Sequence, residues 1–183
     1  YYMLHAYSRL VEADPFRAQR VRDEAARRAA EQPFSFAHRS EFDQPGFLRA
    51  MELLRAGDID AARREIQGLG IARRGAAPEI LWGITLLYAR AGAAKLSDGI
   101  ARGLLTDWLA RWPAGDWTRA WELAFPRPYR RIVQRETRRT GVPEWLVYGV
   151  MREESAFDAD AVSPADAHGL MQLIVPTARL FAR

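Results

Sequence analysis

The chain has 183 residues, 49% hydrophobic and 27% charged, enough for one or two domains with a real core and too apolar for a disordered chain. Cysteine is absent, which excludes disulfides, thiol chemistry and thiolate metal sites; His5, His38 and His168 match no metal-ligand spacing. A formal net charge of +4 and a pI of about 9.8 favour a polyanionic partner without choosing between nucleic acid and an anionic cell-wall polymer.

In chain order, Ala, Leu, Arg and Glu dominate almost every segment and predict helix; alternating strand patterns are not evident. The chain opens at Tyr1 without a basic and then apolar leader. Tyr1 to Ala13 and Asp14 to Gln32 read as a helix pair, with Asp14 as N-cap and Pro15 at the first helical position. Pro33 to Pro45 is a polar loop in which Phe34, Phe36 and Phe42 provide anchors to the core. Phe47 to Ala56 and Ile59 to Leu69 form the clearest helical hairpin, with Gly57 closing one helix and Asp58 capping the next. Its string FLRAMELLRAGDIDAARREI resembles one unit of a tetratricopeptide-like array, although no strict repeat period follows.

Pro78 to Ala91 and Leu96 to Trp112 are two further predicted helices. The apolar run Ile80 to Ala89 is shorter than the ~20 residues of a membrane span and reads as a buried helix. Trp82, Trp108, Trp112, Trp117 and Trp121 are read first as core packing and only second as a sugar-stacking platform. Phe125-Pro126-Arg127-Pro128 breaks the helices and marks a domain boundary, dividing the chain into 1–125 and 126–183. The arginines between Arg127 and Arg139, with Glu136 as their only acid, fit a solvated helix face or an anionic-polymer contact.

Gly141 ends one helix and Pro143 starts another that runs to about Glu154. At about 100° per residue, Val147, Val150, Met151 and Glu154 share a face, so the acid is expected to continue a buried stripe at the last turn. Burial and the negative end of the helix dipole would both disfavour its carboxylate, which suits a general acid. The alternative is a glutamate that caps the helix or pairs with an arginine. Glu153 points elsewhere, so the two are not a glycosidase carboxylate pair. Ser163-Pro164-Ala165-Asp166 reads as a helix start, which would put Gly169 inside a helix. That glycine, costing about 1 kcal/mol relative to alanine, suits close approach of a ligand or close helix packing.

REESAF, then SPADAHGLMQL, then PTA, resembles the signature of the soluble lytic murein transglycosylase (SLT) family. The resemblance covers about the last forty residues; residues 1–125 match only in character, as a helical superhelix. It implies an all-α protein: a helical array followed by the first part of a lysozyme-like domain, which in the family continues beyond Arg183. The implied reaction cleaves the β-1,4 bond between N-acetylmuramic acid and N-acetylglucosamine in peptidoglycan, leaving 1,6-anhydro ends. Glu154 would be the single acid/base, assisted by the substrate's acetamido group. Ser155, Ser163, Gly169 and Gln172 match positions that contact the glycan. Asp166 stands where glycine is commoner in the family, Ile174 where a groove-lining methionine is common, and Pro176 one residue late. The resemblance also implies a periplasmic or cell-envelope location, no metal or cofactor, and glycan strands as partner. Two rivals share the residues: a goose-type lysozyme that uses water as acceptor, and a non-catalytic helical scaffold that binds protein or glycan. Nucleic-acid binding has only the arginines behind it, with no recognised motif.

Overall fold

The structure, a computed structural model, describes residues 2–181. Tyr1, where the first helix was expected to start, lies outside them, as do residues 182–183 and the side chain of Tyr2. Three helix pairs come first: α1 (Tyr2–Ala13) with α2 (Pro15–Glu31), α3 (Pro45–Arg55) with α4 (Ile59–Gly68), and α5 (Pro78–Arg90) with α6 (Ala94–Gly103). The expected caps are in place. Asp14 accepts the Arg17 amide at 2.9 Å, and Asp58 accepts the Ala61 amide at 2.9 Å. Gly57 makes the hairpin turn at φ +83°, where a side chain would be strained.

The loop between α2 and α3 is pinned as its phenylalanines suggested. Phe34 is buried and meets Trp82 edge-on at 5.2 Å. Phe42 lies over Gly83, where a Cβ would come within 2.7 Å of its ring, so only glycine lets that ring rest on α5. The predicted helix Leu96–Trp112 does not form as one piece. It stops at Gly103 and a 3-10 turn follows at Asp107–Ala110. Because the Leu105 amide bonds Ile100 O, the Ala101 carbonyl loses its usual donor, and the Trp108 indole supplies one at 3.2 Å. Trp108 is thereby folded onto Trp121, at 4.9 Å between ring centroids, on α7 (Trp117–Ala124). Trp82, Trp108, Trp117 and Trp121 are all buried in one cluster reaching from Ala29 to Ala124, so these four are core.

Beyond Pro128 lie α8 (Arg130–Thr140) and α9 (Glu144–Ser155), a two-stranded antiparallel ribbon of β1 (Ala167–His168) and β2 (Leu173–Ile174), and α10 (Val175–Phe181). Ala167 faces Ile174 and His168 faces Leu173. The helix expected to start at Ser163 is absent, and the ribbon stands in its place. Ser163 Oγ accepts the Ala165 and Ala167 amides at 3.3 and 3.1 Å, and the Asp166 amide returns to Ser163 O at 3.0 Å. This is a closed turn rather than a helix cap. Asp166 has φ +58° and Gly169 φ +70°, values no α-helix interior contains. Gly169 is therefore a turn residue, not a helical one. Asp166, in the place where glycine is commoner, meets a left-handed backbone that aspartate tolerates better than most side chains.

Candidate active site

Glu154 is carried by α9, whose start follows the punctuation in the sequence with one shift. Gly141 ends α8 at φ +74°, its amide bonding Thr137 O at 2.8 Å, while Pro143 is the extended N-cap rather than the first helical residue. α9 buries Tyr148 and Met151 against Val133, Phe157 and Ala94 of α6, with Val147, Leu170 and Met171 partly covering them. Arg152 and Ser155 are half-buried on the same side. That side is centred roughly 100° round the helix from the stripe read in the sequence. Glu154 is consequently exposed, and the expectation that it continues a buried apolar stripe is corrected. The expectation overlooked that Tyr148 and Arg152, rather than Val150, face the neighbouring elements.

The Glu-Ser-Ala-Phe string is the stop of α9. Ala156 and Phe157 both adopt left-handed backbone, at φ +50° and +67°. Their amides return to Arg152 O at 3.1 Å and Met151 O at 3.3 Å, so backbone carbonyls of the last turns close the helix. Left-handed backbone costs non-glycine residues about 1–2 kcal/mol each. The buried Phe157 ring, packed with Tyr148 and Met151, holds the turn in place. The chain thus reverses immediately after Glu154 and leaves the carboxylate at an open helix end.

Ser155 joins this end to the ribbon: its Oγ lies 3.0 Å from Met151 O and 3.1 Å from Leu170 O. The turn at Leu170 is held by Gln172, whose amide nitrogen donates to Gly169 O at 2.9 Å and Ala161 O at 3.2 Å. The Gly169 amide also bonds Ala161 O, at 2.8 Å. A Cβ on Gly169 would touch Ala159 O at 3.4 Å. Ser155, Gly169 and Gln172 therefore belong to one hydrogen-bonded unit. Ser163 lies in the preceding turn with its hydroxyl engaged by its own loop.

A cavity of about 1220 Å³ opens between α9 and the helical array. Glu154, Glu153, Val150 and Trp145 line it from α9, and Leu105, Trp108 and Phe125 from the array. Of the five residues singled out in the sequence, Glu154 alone is in its wall. Trp145, 73% exposed, was not singled out, because its only signal was one large aromatic near the start of the helix.

A charged seam joins α9 to α6. Arg152 Nε faces Asp98 Oδ1 at 2.9 Å, with the Arg152 side chain 11% and the Asp98 side chain 1% exposed. The two atoms lack the alignment of a hydrogen bond, so charge holds them more than a shared proton does. The Arg152 guanidinium also lies 4.2 Å from the centre of the Phe125 ring. Burial pushes the Asp98 carboxyl up from its ordinary range against the pull of Arg152 and Arg102, and pushes Arg152 down against the pull of Asp98. Arg102 pairs with Glu153 at 2.8 Å, and Lys95 pairs with Asp158. No sequence pattern links Asp98 to Arg152, since a pair so far apart in the chain is created only by packing. Among the described residues no group of three or more His, Asp or Glu is gathered as a metal would require.

The transglycosylase SLT domain family matches residues 131–183. The membrane-bound lytic murein transglycosylase C of Mannheimia succiniciproducens is 44% identical over 52 residues, 28% of this chain and 15% of that protein. The enzyme of the same name from Actinobacillus pleuropneumoniae serotype 5b is 44% identical over 59 residues, 31% of this chain and 16% of that one. The matches to these relatives thus span about one sixth of their length. The 70 kDa soluble lytic transglycosylase of Escherichia coli superposes with a TM-score of 0.50 and 19% identity, covering 96% of this chain and 29% of that one, which establishes likeness of fold. The Glu154–Ser155 helix end, the Gly169–Gln172 turn and the family match fall on the same stretch, so it is residues 131–183 that are similar to the transglycosylase SLT domain family.

Proposed function

We propose that this chain carries the acid/base of a peptidoglycan lytic transglycosylase and that Glu154 is that group. The observation that carries the reading is a carboxylate at an open helix end, on the wall of a large cavity, inside the segment the family matches. Glu154 protonates the glycosidic oxygen as the β-1,4 bond breaks, then takes the proton of the muramyl 6-hydroxyl as that oxygen closes the 1,6-anhydro ring. No second carboxylate is required if the substrate's acetamido oxygen stabilises the cationic centre. Ser155, Gly169 and Gln172, outside the lining of that cavity, hold the turn next to Glu154 that the glycan contacts. Both bonds of the Gln172 amide nitrogen go to backbone, which leaves its carbonyl oxygen for a sugar hydroxyl. Ser163 acts by fixing the turn before the ribbon.

The array (1–125) and the glutamate segment (126–183) are two domains in this reading, and the protein works in the cell envelope. Relatives named as membrane-bound support that location. No helix among the described residues is long and apolar enough to cross a membrane.

The test is Glu154→Gln in the intact protein. Release of anhydromuropeptides from purified peptidoglycan should fall at least about 10²-fold, the usual contribution of general acid/base catalysis, while cosedimentation with peptidoglycan persists. Near-normal release by this variant would overturn the assignment. Reducing rather than anhydro ends from the wild type would make the protein a hydrolase.

A further inference from the structure

The seam between α6 and α9 lies outside the residues to which the family resemblance assigns roles. Lys95, Asp98 and Arg102 project from one side of α6 at helical spacing, and each meets an opposite charge on the glutamate segment: Asp158, Arg152 and Glu153. Ala94, one turn before Asp98, is packed in the same small cluster as Met151 and Phe157. The three partners bracket Glu154, two residues before it, one before it and four after.

The middle pair is poorly explained as a source of stability. Removing two charges from water is expensive, and a buried ion pair commonly does no better than an apolar pair of equal volume. What such a pair supplies is register: each charge accepts one partner in one place. Here the place is the last turn of the helix that presents Glu154, where the catalytic carboxylate has little packing of its own.

We propose that Asp98 and Arg152 are positioning residues for Glu154, so that the helical array sets the reach and angle of the acid/base instead of merely preceding it in the chain. This rests on Glu154 being the acid/base. The Phe125 ring against the Arg152 guanidinium gives the clamp a third side, from the segment that leads out of the array. The outer pairs are more exposed and contribute less.

The experiment uses the intact protein with Asp98→Asn, Asp98→Asn/Arg152→Gln, and Leu54→Ala as a control that loosens the array core away from the seam. Asp98→Asn should lower kcat for anhydromuropeptide release between about ten- and a hundredfold, as displacement of a catalytic group by around 1 Å does, with KM within about twofold. The double variant, in which two neutral amides can still bridge the helices, should recover most of that loss. Leu54→Ala should lower the melting temperature and leave kcat per folded molecule alone. Because the chain has no cysteine, spin labels at Gly99→Cys and Gly149→Cys report the distance between α6 and α9 without any activity; a Cβ meets nothing within 4 Å at either position. Asp98→Asn should broaden that distance distribution. Unchanged kcat and an unchanged distribution in Asp98→Asn would overturn the clamp. A wild type that releases no anhydro product would instead overturn the functional reading, with the label distances still deciding whether the clamp exists.

Discussion

The helical array and the glutamate segment are built to different standards. Up to Ala124 the helices pack into one aromatic-rich cluster, their ends are closed by Asp14, Asp58 and Gly57, and the described residues with left-handed backbone are all glycines. From Tyr129 onward the reverse holds. Tyr129, Ala156, Phe157, Asp166 and Gln172 all sit at positive φ, while the core is a small cluster that borrows Ala94 from α6. Ile132, Trp145, Leu180 and Phe181 are largely exposed, a trait the array shares at Phe16. The array spends its residues on stability. The glutamate segment accepts strain around Glu154 and Gln172, where the placement of particular groups matters more than the ease of the backbone.

The largest expected effect would show whether the two regions are separate in stability. Trp82→Ala empties the centre of the array core and should cost about 3–5 kcal/mol in chemical denaturation. Hydrogen exchange should rise across α3 to α7 first. If amides of α9 lose protection to the same extent, the regions form one cooperative unit and the contrast concerns strain alone.

A smaller effect of opposite sign tests the strain itself. Ala156→Gly relieves a left-handed residue at the stop of α9 and should stabilise the segment by up to about 1 kcal/mol, with Asp166→Gly acting in the same direction. Thermal melts of the two variants measure this. Destabilisation in both would mean that the positive φ values carry no strain worth relieving.

The smallest effect is a pH dependence at the seam. The hydrogen bond from Lys95 comes first in holding the Asp158 carboxyl below its ordinary 3.8. A depressed folded value means that this pair's contribution is fully present above pH 3.8 and is lost as pH falls through the lower folded value. Asp158→Asn should therefore be less stable than wild type at pH 7, by under about 1 kcal/mol for so exposed a pair, and the difference should close in acid below 3.8. Asp98 runs the other way: its raised value means that stability is lost as pH rises from 3.8 through the folded value. A gap for Asp158→Asn that stays constant down to the acid limit would remove Lys95 from the seam.

Local chemistry made much of the molecule legible. Asp14, Asp58, Gly57 and Gly141 close helix ends through backbone groups within a few residues, so composition and spacing suffice to find them. The same holds for the apolar run of α5 and for the glutamate signature, which is a contiguous string. Three things were not legible, for one physical reason. The side of α9 that is buried depends on where Val133, Phe157 and Ala94 arrive, and this left Glu154 exposed rather than on an apolar stripe. The Ser163 turn competes with a helix start built from the same residues, and the pairing of Ala167 with Ile174 favours the ribbon. The Asp98–Arg152 pair joins residues with no local relation at all. The sequence by itself determined most of the helices up to Gly103, the caps at Asp14, Asp58, Gly57 and Gly141, and the family motif, because each is satisfied by near neighbours. Only the tertiary structure decided which face of α9 meets the array and what surrounds Glu154, because those contacts join groups that become neighbours only when the whole chain has packed.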